Sequence, residues 1–203
     1  MTLYFVRHGE TEWNVKKKIQ GTTDIPLNEN GVAQARRLAE ELLEKKERGE
    51  FQVAKAYTSP QLRASETAQI TADALGVECI SLDGLKEMDL GEWEGSNWDI
   101  IRETYGDVYH YWNNNRRYTN TPGGECYNQV LERTLEALTI ILEQETENVL
   151  VVSHSAILMA LRCYIAKRPF EDMVKHFKTK NAEVVEISAE DVREAIRRFA
   201  AGE

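Results

Sequence analysis

The sequence predicts an α/β fold of three layers: a mostly parallel sheet flanked by helices on both faces. Two observations carry this. Short apolar runs such as TLYFV (2–6) and NVLVVSH (148–154), the clearest buried strand, alternate with segments whose apolar residues recur at helical spacing, and such alternation builds a covered parallel sheet. No internal repeat, low-complexity tract or Pro/Gly-rich linker interrupts the 203 residues, so one domain over 1–203 is expected.

Taken in order, TLYFV is the first strand. A loop follows it and ends in DIPLNENG, rich in turn formers. Asn28 caps a helix with Val32, Ala35, Leu38, Ala39, Leu42 and Leu43 along one stripe. FQVAKAYTS (51–59) reads as the second strand. Pro60 then opens a helix with Leu62, Ala68, Ile70 and Leu75 apolar and Gly76 as its stop. VECISLD (77–83) is a short strand. Residues 85–124 read as an irregular, aromatic-rich region, although Tyr105, Tyr109 and Trp112 share a helical spacing that marks them as core. After PGGE (122–125) comes a long helix facing Val130, Leu131, Leu135, Leu138, Ile141 and Leu142 inward. A helix over 156–165, a strand AEVVEIS (182–188) and a terminal helix complete the chain.

Composition narrows the function classes. Charged residues are 29% and hydrophobic residues 42%, ordinary values for a folded globular chain. The net charge of −9 argues against nucleic acid or an anionic membrane as partner. No apolar run spans a bilayer and no leader pattern opens the chain. Cys79, Cys126 and Cys163 form no C-x-x-C and read as reduced thiols. A cytoplasmic protein is therefore expected. The run Lys16–Lys18 reads as a solvated loop face, with the drawing of anions toward a cleft as the secondary reading. No His/Asp/Glu set has ligand spacing, so neither metal nor other cofactor is expected.

Three strand ends carry the chemistry. The first runs into Arg7 and His8, the second into a helix whose first turn holds Arg63, and the fourth into His154. Ligands of open parallel sheets bind beyond the carboxyl ends of the strands, so the three ends can converge. Two arginines, two histidines and a helix amino terminus suit a tetrahedral dianion, phosphate first. A histidine standing alone after a strand would be an ordinary satisfied polar residue; the shared context is what argues otherwise.

RHGETEWN (7–14) resembles the signature of the histidine phosphatase superfamily, also called phosphoglycerate mutase-like. QGTTDIPLNENG, TSPQLRASETA, LKEMDLGEWEG, PGGE and VVSH follow in that family's order across nearly the whole chain. The resemblance implies His8 as the nucleophile that becomes phosphohistidine, with Arg7, Arg63 and His154 holding the phosphoryl oxygens. Asn14, Gln20 and Gly21 match positions lining the same pocket. Glu87 matches the proton donor of the phosphatase branch, although Asp89, Glu92 and Glu94 stand close by. Ser155 replaces a common glycine and is expected to narrow the pocket or donate to phosphate. Cys126 likewise replaces a serine.

The implied activity is a metal-independent phosphomonoester hydrolase, a histidine acid-type phosphatase, acting on a small phosphorylated metabolite. Two alternatives stay open. One is a cofactor-dependent phosphoglycerate mutase, against which stands the short interval of about forty residues between Glu87 and Glu125. In that reading Arg116 and Arg117 contact a carboxylate; otherwise they belong to a solvated loop. The other is a non-catalytic phospho-ligand or partner-binding domain. Residues 88–124 are expected to cap the pocket and set substrate preference. Neither the substrate nor the oligomeric state is determined by the sequence.

Overall fold

Alternation of side chains across β1 (Thr2–Arg7) sends Leu3 and Phe5 into one core and Val6 into another. The computed structural model describes residues 1–203. Its remaining strands are β2 (Lys55–Thr58), β3 (Glu78–Ser81), β4 (Val149–Ser153) and β5 (Val184–Ser188). They form one sheet in the order β3-β2-β4-β1-β5. β4 sits at its centre, and all five of its residues are buried. Val149 and Val151 face the core of Leu3 and Phe5, whereas Leu150 and Val152 face that of Val6. β5 alone runs antiparallel, along the edge of β1.

The helices are α1 (Glu12–Val15), α2 (Glu29–Glu47), α3 (Leu62–Leu75), α4 (Trp98–Asn114), α5 (Tyr127–Gln144), α6 (Ser155–Ile165), α7 (Met173–Phe177) and α8 (Ala189–Ala200). α2 and α3 bury Leu38, Leu42, Ala64, Ala68 and Leu75 against the Val6 face. α5, α6 and α8 cover the other face through residues such as Leu131, Leu138, Leu161 and Val192. Each buried leucine contributes about 1.5–3 kcal/mol relative to exposure. The expected boundaries have physical markers. The Asn28 side chain accepts the Gly31 N–H at 2.7 Å to start α2, and Gly76 ends α3 at φ +69°, where a side chain would be strained. No helix is long and apolar enough to cross a membrane.

Three expectations change. The strand expected over 51–59 is reduced to Lys55–Thr58, while Phe51 and Val53 bury themselves in the core beside it. The region expected to be irregular contains the 17-residue α4. Gly106 breaks this helix locally, at φ 42° and ψ −110°, and that break interrupts the periodicity. Its rings nonetheless pack inward: Trp93 meets Trp112 edge-on at 5.0 Å, and Trp98 stacks on Trp112 at 5.7 Å. Arg116 is buried rather than solvated, with its guanidinium 4.9 Å from the Trp112 ring centre and bonded to Asn113. Arg117 is only partly exposed and lies over Tyr164 and Phe170.

Candidate active site

Strand register brings the two histidines together. Arg7 of β1 pairs with Ser153 of β4, so the next residue on each strand is a histidine at the same sheet edge. The His8 N–H donates to the Ser153 carbonyl at 3.0 Å. The two rings lie 5.2 Å apart. β2 ends beside them, and the residues after it lead into α3 and Arg63.

His8 is 2% exposed, and its Nδ1 lies 2.7 Å from the Gly9 carbonyl. A carbonyl only accepts, so Nδ1 carries the hydrogen and Nε2 keeps its lone pair, without a protein partner, on the cleft side. Burial first, then the charges of Arg63 and Arg7, hold its pKa well below the ordinary histidine value. The ring is thus neutral, as a nucleophile must be. The loop carrying it is fixed: the Gly9 N–H donates to Thr67 of α3 at 3.0 Å, and Asn181 donates to the His8 carbonyl at 2.9 Å. Gly9 itself packs on Gly31, where a Cβ would meet the carbonyl oxygen at 2.6 Å.

Arg63 is fully buried. Its Nη1 donates to the Thr23 carbonyl at 2.9 Å and its Nη2 to the Gly21 carbonyl at 2.8 Å, while its buried Nε has no partner. The loop bearing those carbonyls is held by Glu94, which accepts the backbone N–H and hydroxyl of both Thr22 and Thr23. Gly21 adopts φ +53° and lies so close to the Glu94 carboxylate that a Cβ would overlap it. Arg7 repeats the pattern, with Nη1 donating to the Thr179 carbonyl at 2.7 Å and a buried, unpartnered Nε. Burial lowers the pKa of both guanidinium groups, which still remain charged.

His154 is fully buried, with Nε2 2.8 Å from the Ser59 hydroxyl and Nδ1 unpartnered. Burial, followed by the charge of Arg63, lowers its pKa well below the ordinary value. Arg7, Arg63 and His154 thus each have one buried nitrogen without a partner. Unpaired buried donors are costly and call for a partner. An anion with several acceptor oxygens supplies one.

Glu87 lines the same cleft. Its Oε1 accepts the Met88 N–H at 2.9 Å, and Oε2 lies 3.4 Å from the Ala156 N–H in the first turn of α6. Burial raises its pKa against the opposing effects of these N–H groups, Arg63 and Arg7. The neighbouring acids point elsewhere. Asp89 accepts the Gly91 N–H, Glu92 the Tyr105 hydroxyl, and Glu94 serves the 22–23 loop. The Glu87 loop is anchored by Arg133, which grips Glu125 through two nitrogens and donates to the carbonyls of Gly84, Lys86 and Glu87.

The cleft has a volume of about 450 Å³. Asn14, Gln20, Gly21 and Ser155 line it together with His8, Arg7, Arg63 and Glu87, whereas His154 is not among the lining residues and faces Ser59. The Gln20 Oε1 takes the Thr11 hydroxyl at 3.0 Å. Lys17 and Lys18 also reach the cleft while remaining exposed, so part of the lysine run faces the site. A second hollow of about 450 Å³ shares Arg7, Trp98, Tyr127, Ser155, Met159 and Lys178 with it and adds Tyr109, Trp112 and Arg116. Sequence reasoning missed Gln61, Glu94, Arg133, Lys178 and Asn181. The invariable signal would have been partner geometry, since none stands at a strand end or in a periodic stripe. No group of three or more His, Cys, Asp or Glu side chains is placed to hold a metal ion.

A family model described as the histidine phosphatase superfamily (branch 1) matches residues 3–201. Phosphoserine phosphatase 1 of Hydrogenobacter thermophilus is 33% identical over 79% of this chain and 74% of its own. A 2,3-bisphosphoglycerate-dependent phosphoglycerate mutase of Parvibaculum lavamentivorans is 36% identical over 85% of this chain and 83% of its own. Among solved structures, Bacillus stearothermophilus YhfR superposes with a TM-score of 0.80 at 34% identity, covering 92% of this chain and 90% of that one.

Proposed function

The chain belongs to the histidine phosphatase superfamily, and on that premise we propose that it is a metal-independent phosphomonoester hydrolase working through a phosphohistidine at His8 Nε2. The observation that carries the reading is the His8–Gly9 hydrogen bond, which leaves Nε2 facing a cleft that Arg7 and Arg63, each with an unpaired nitrogen, also line.

The reaction follows from the positions of these groups. A phosphomonoester enters with its oxygens toward Arg7, Arg63 and the Nδ1 of His154. His154 Nε2 lies 2.8 Å from the Ser59 hydroxyl, and in this reading the ring's hydrogen is assigned to Nδ1, where it is offered to the phosphoryl group. His8 Nε2 attacks phosphorus as the ester P–O bond breaks, and Glu87, whose pKa burial raises, gives a proton to the departing alkoxide. The resulting carboxylate then takes a proton from water, whose oxygen attacks phosphohistidine and restores His8. Fixed cations do the electrostatic work that phosphoryl transfer requires.

The substrate is a small phosphorylated metabolite, and residues 88–124, through Trp98, Tyr109 and Trp112, cap the hollow that receives its leaving group. Phosphoserine is the first compound to offer, because a relative of this chain bears that name. The test is trapping of acid-labile phosphate on the protein during turnover, in wild type and in His8→Ala. Label on wild type alone is expected; label or turnover in His8→Ala refutes the nucleophile. The mutase reading has its own relative. It is tested by supplying 3-phosphoglycerate with its bisphosphate primer, where phosphate release is expected to exceed isomerisation.

A further inference from the structure

We propose that Gln61 is a positioning residue for phosphoryl transfer, a single buried amide that sets the Glu87 loop relative to the seat of Arg63 and to His154. The proposal rests on the reading of Glu87 as proton donor.

Gln61 breaks a local rule. It occupies the N-cap of α3, where Ser, Thr, Asp or Asn is preferred for its side-chain acceptor, yet its side chain makes no cap bond. The Leu62 N–H is satisfied instead by Asp24, at 2.7 Å. A glutamine turned away from its own helix and only 6% exposed must find its partners elsewhere. It finds them in three segments. Its Nε2 donates to the Gly21 carbonyl at 3.0 Å, the same oxygen that takes Arg63 Nη2. Its Oε1 accepts the Glu87 N–H at 2.7 Å. Its backbone N–H donates to the Ser59 hydroxyl at 3.3 Å, and that oxygen faces His154 Nε2.

These bonds lock residue 87 from both sides. Gln61 holds its N–H while Arg133 holds its carbonyl. The carboxyl group is in turn tied to the next backbone amide, so its direction follows the backbone. Removing the Gln61 acceptor strands a backbone N–H, and the loop regains a partner for it only by shifting. A displacement of 1 Å at a reacting group is enough to cost about 100-fold in rate. Gln61 is not among the residues lining the cleft, so its effect passes through Glu87.

The test uses the full chain and two esters. p-Nitrophenyl phosphate has a leaving group that departs without a proton, whereas the alkoxide of O-phosphoserine needs one. Gln61→Met is expected to lower kcat/KM on phosphoserine at least tenfold more than on p-nitrophenyl phosphate. Gln61→Glu keeps the acceptor for the Glu87 N–H but loses the donor to the Gly21 carbonyl, so it is expected to lower kcat/KM on both esters with a smaller selective loss than Gln61→Met. Should Gln61→Met fail to fold, Gln61→Asn, which cannot reach the loop, carries the same expectation. Equal losses on both esters in Gln61→Met, or a selective loss that persists in a Glu87→Gln background, overturns the proposal. A selective loss in Glu87→Gln without one in Gln61→Met overturns it while leaving the role of Glu87 standing. No selective loss in Glu87→Gln removes the role of Glu87, and the proposal with it.

Discussion

Arg63→Lys separates charge from geometry. Lysine retains the positive charge, but its donors radiate from one nitrogen, whereas the arginine fork spans two carbonyls and leaves Nε unpaired. In the structure those carbonyls belong to Gly21 and Thr23, at 2.8 and 2.9 Å. A lysine ammonium that satisfies them has no second nitrogen to present to a phosphoryl oxygen. Loss of one positioned donor of this kind costs about 10²–10³ in rate, or about 2.7–4 kcal/mol of transition-state stabilisation. Folding also suffers, because a hydrogen bond to a charged group contributes about 1.5–3 kcal/mol. For a chain of this length each kcal/mol shifts Tm by about 2–4 °C, so a fall of about 3–12 °C is expected. Steady-state hydrolysis of p-nitrophenyl phosphate and a thermal melt followed by circular dichroism measure the two effects. A lysine variant within tenfold of wild type would show that charge alone suffices at this position and refute the argument from the fork.

Glu87→Gln is expected to lower kcat/KM on an alkyl phosphate by about 10²–10⁴ and to abolish the fall in activity on the alkaline side, which reports loss of the raised Glu87 proton. Stability of the ligand-free protein should decline as pH falls below about 6.5. His8 and His154 have depressed folded pKa values, so the unfolded chain takes up protons first. Glu87, with its raised pKa, acts in the opposite sense as pH rises above its unfolded value. Comparing denaturant midpoints of wild type and His154→Gln between pH 5 and 8 isolates one histidine, and parallel curves would contradict its neutral burial. Gly9→Ala should destabilise by about 1–3 kcal/mol, because its Cβ meets the Gly31 backbone; an unchanged urea midpoint would contradict this packing. Glu94→Gln should weaken inorganic phosphate as a competitive inhibitor by loosening the loop on which Arg63 rests, and an unaltered inhibition constant would argue against that support.

Much of the fold was legible because its signals are local. Asn28 and Gly76 mark helix ends through their own side chain or backbone, and the apolar run of β4 needs no distant partner to be read as buried. α4 was not legible. Gly106 disrupts its backbone, and the helical spacing of Tyr105, Tyr109 and Trp112 covers only the part that begins beside the break, so the helix as a whole was not apparent. Arg116 was hidden as well, because its burial depends on Trp112 and Asn113 being presented together.

For the site, local sequence signals placed Arg7, His8 and His154 at strand ends and Arg63 in the first turn of the helix after β2. Their positions depend on where strands stop, which neighbouring residues dictate. Their orientation depends on contacts between segments far apart in the chain. The Arg63 fork rests on carbonyls forty residues away in the chain, and the choice of Glu87 over Asp89, Glu92 and Glu94 depends on a loop clamped by Arg133 and Gln61. Polar contacts between loops have neither period nor fixed spacing, so the chain has to fold before they exist.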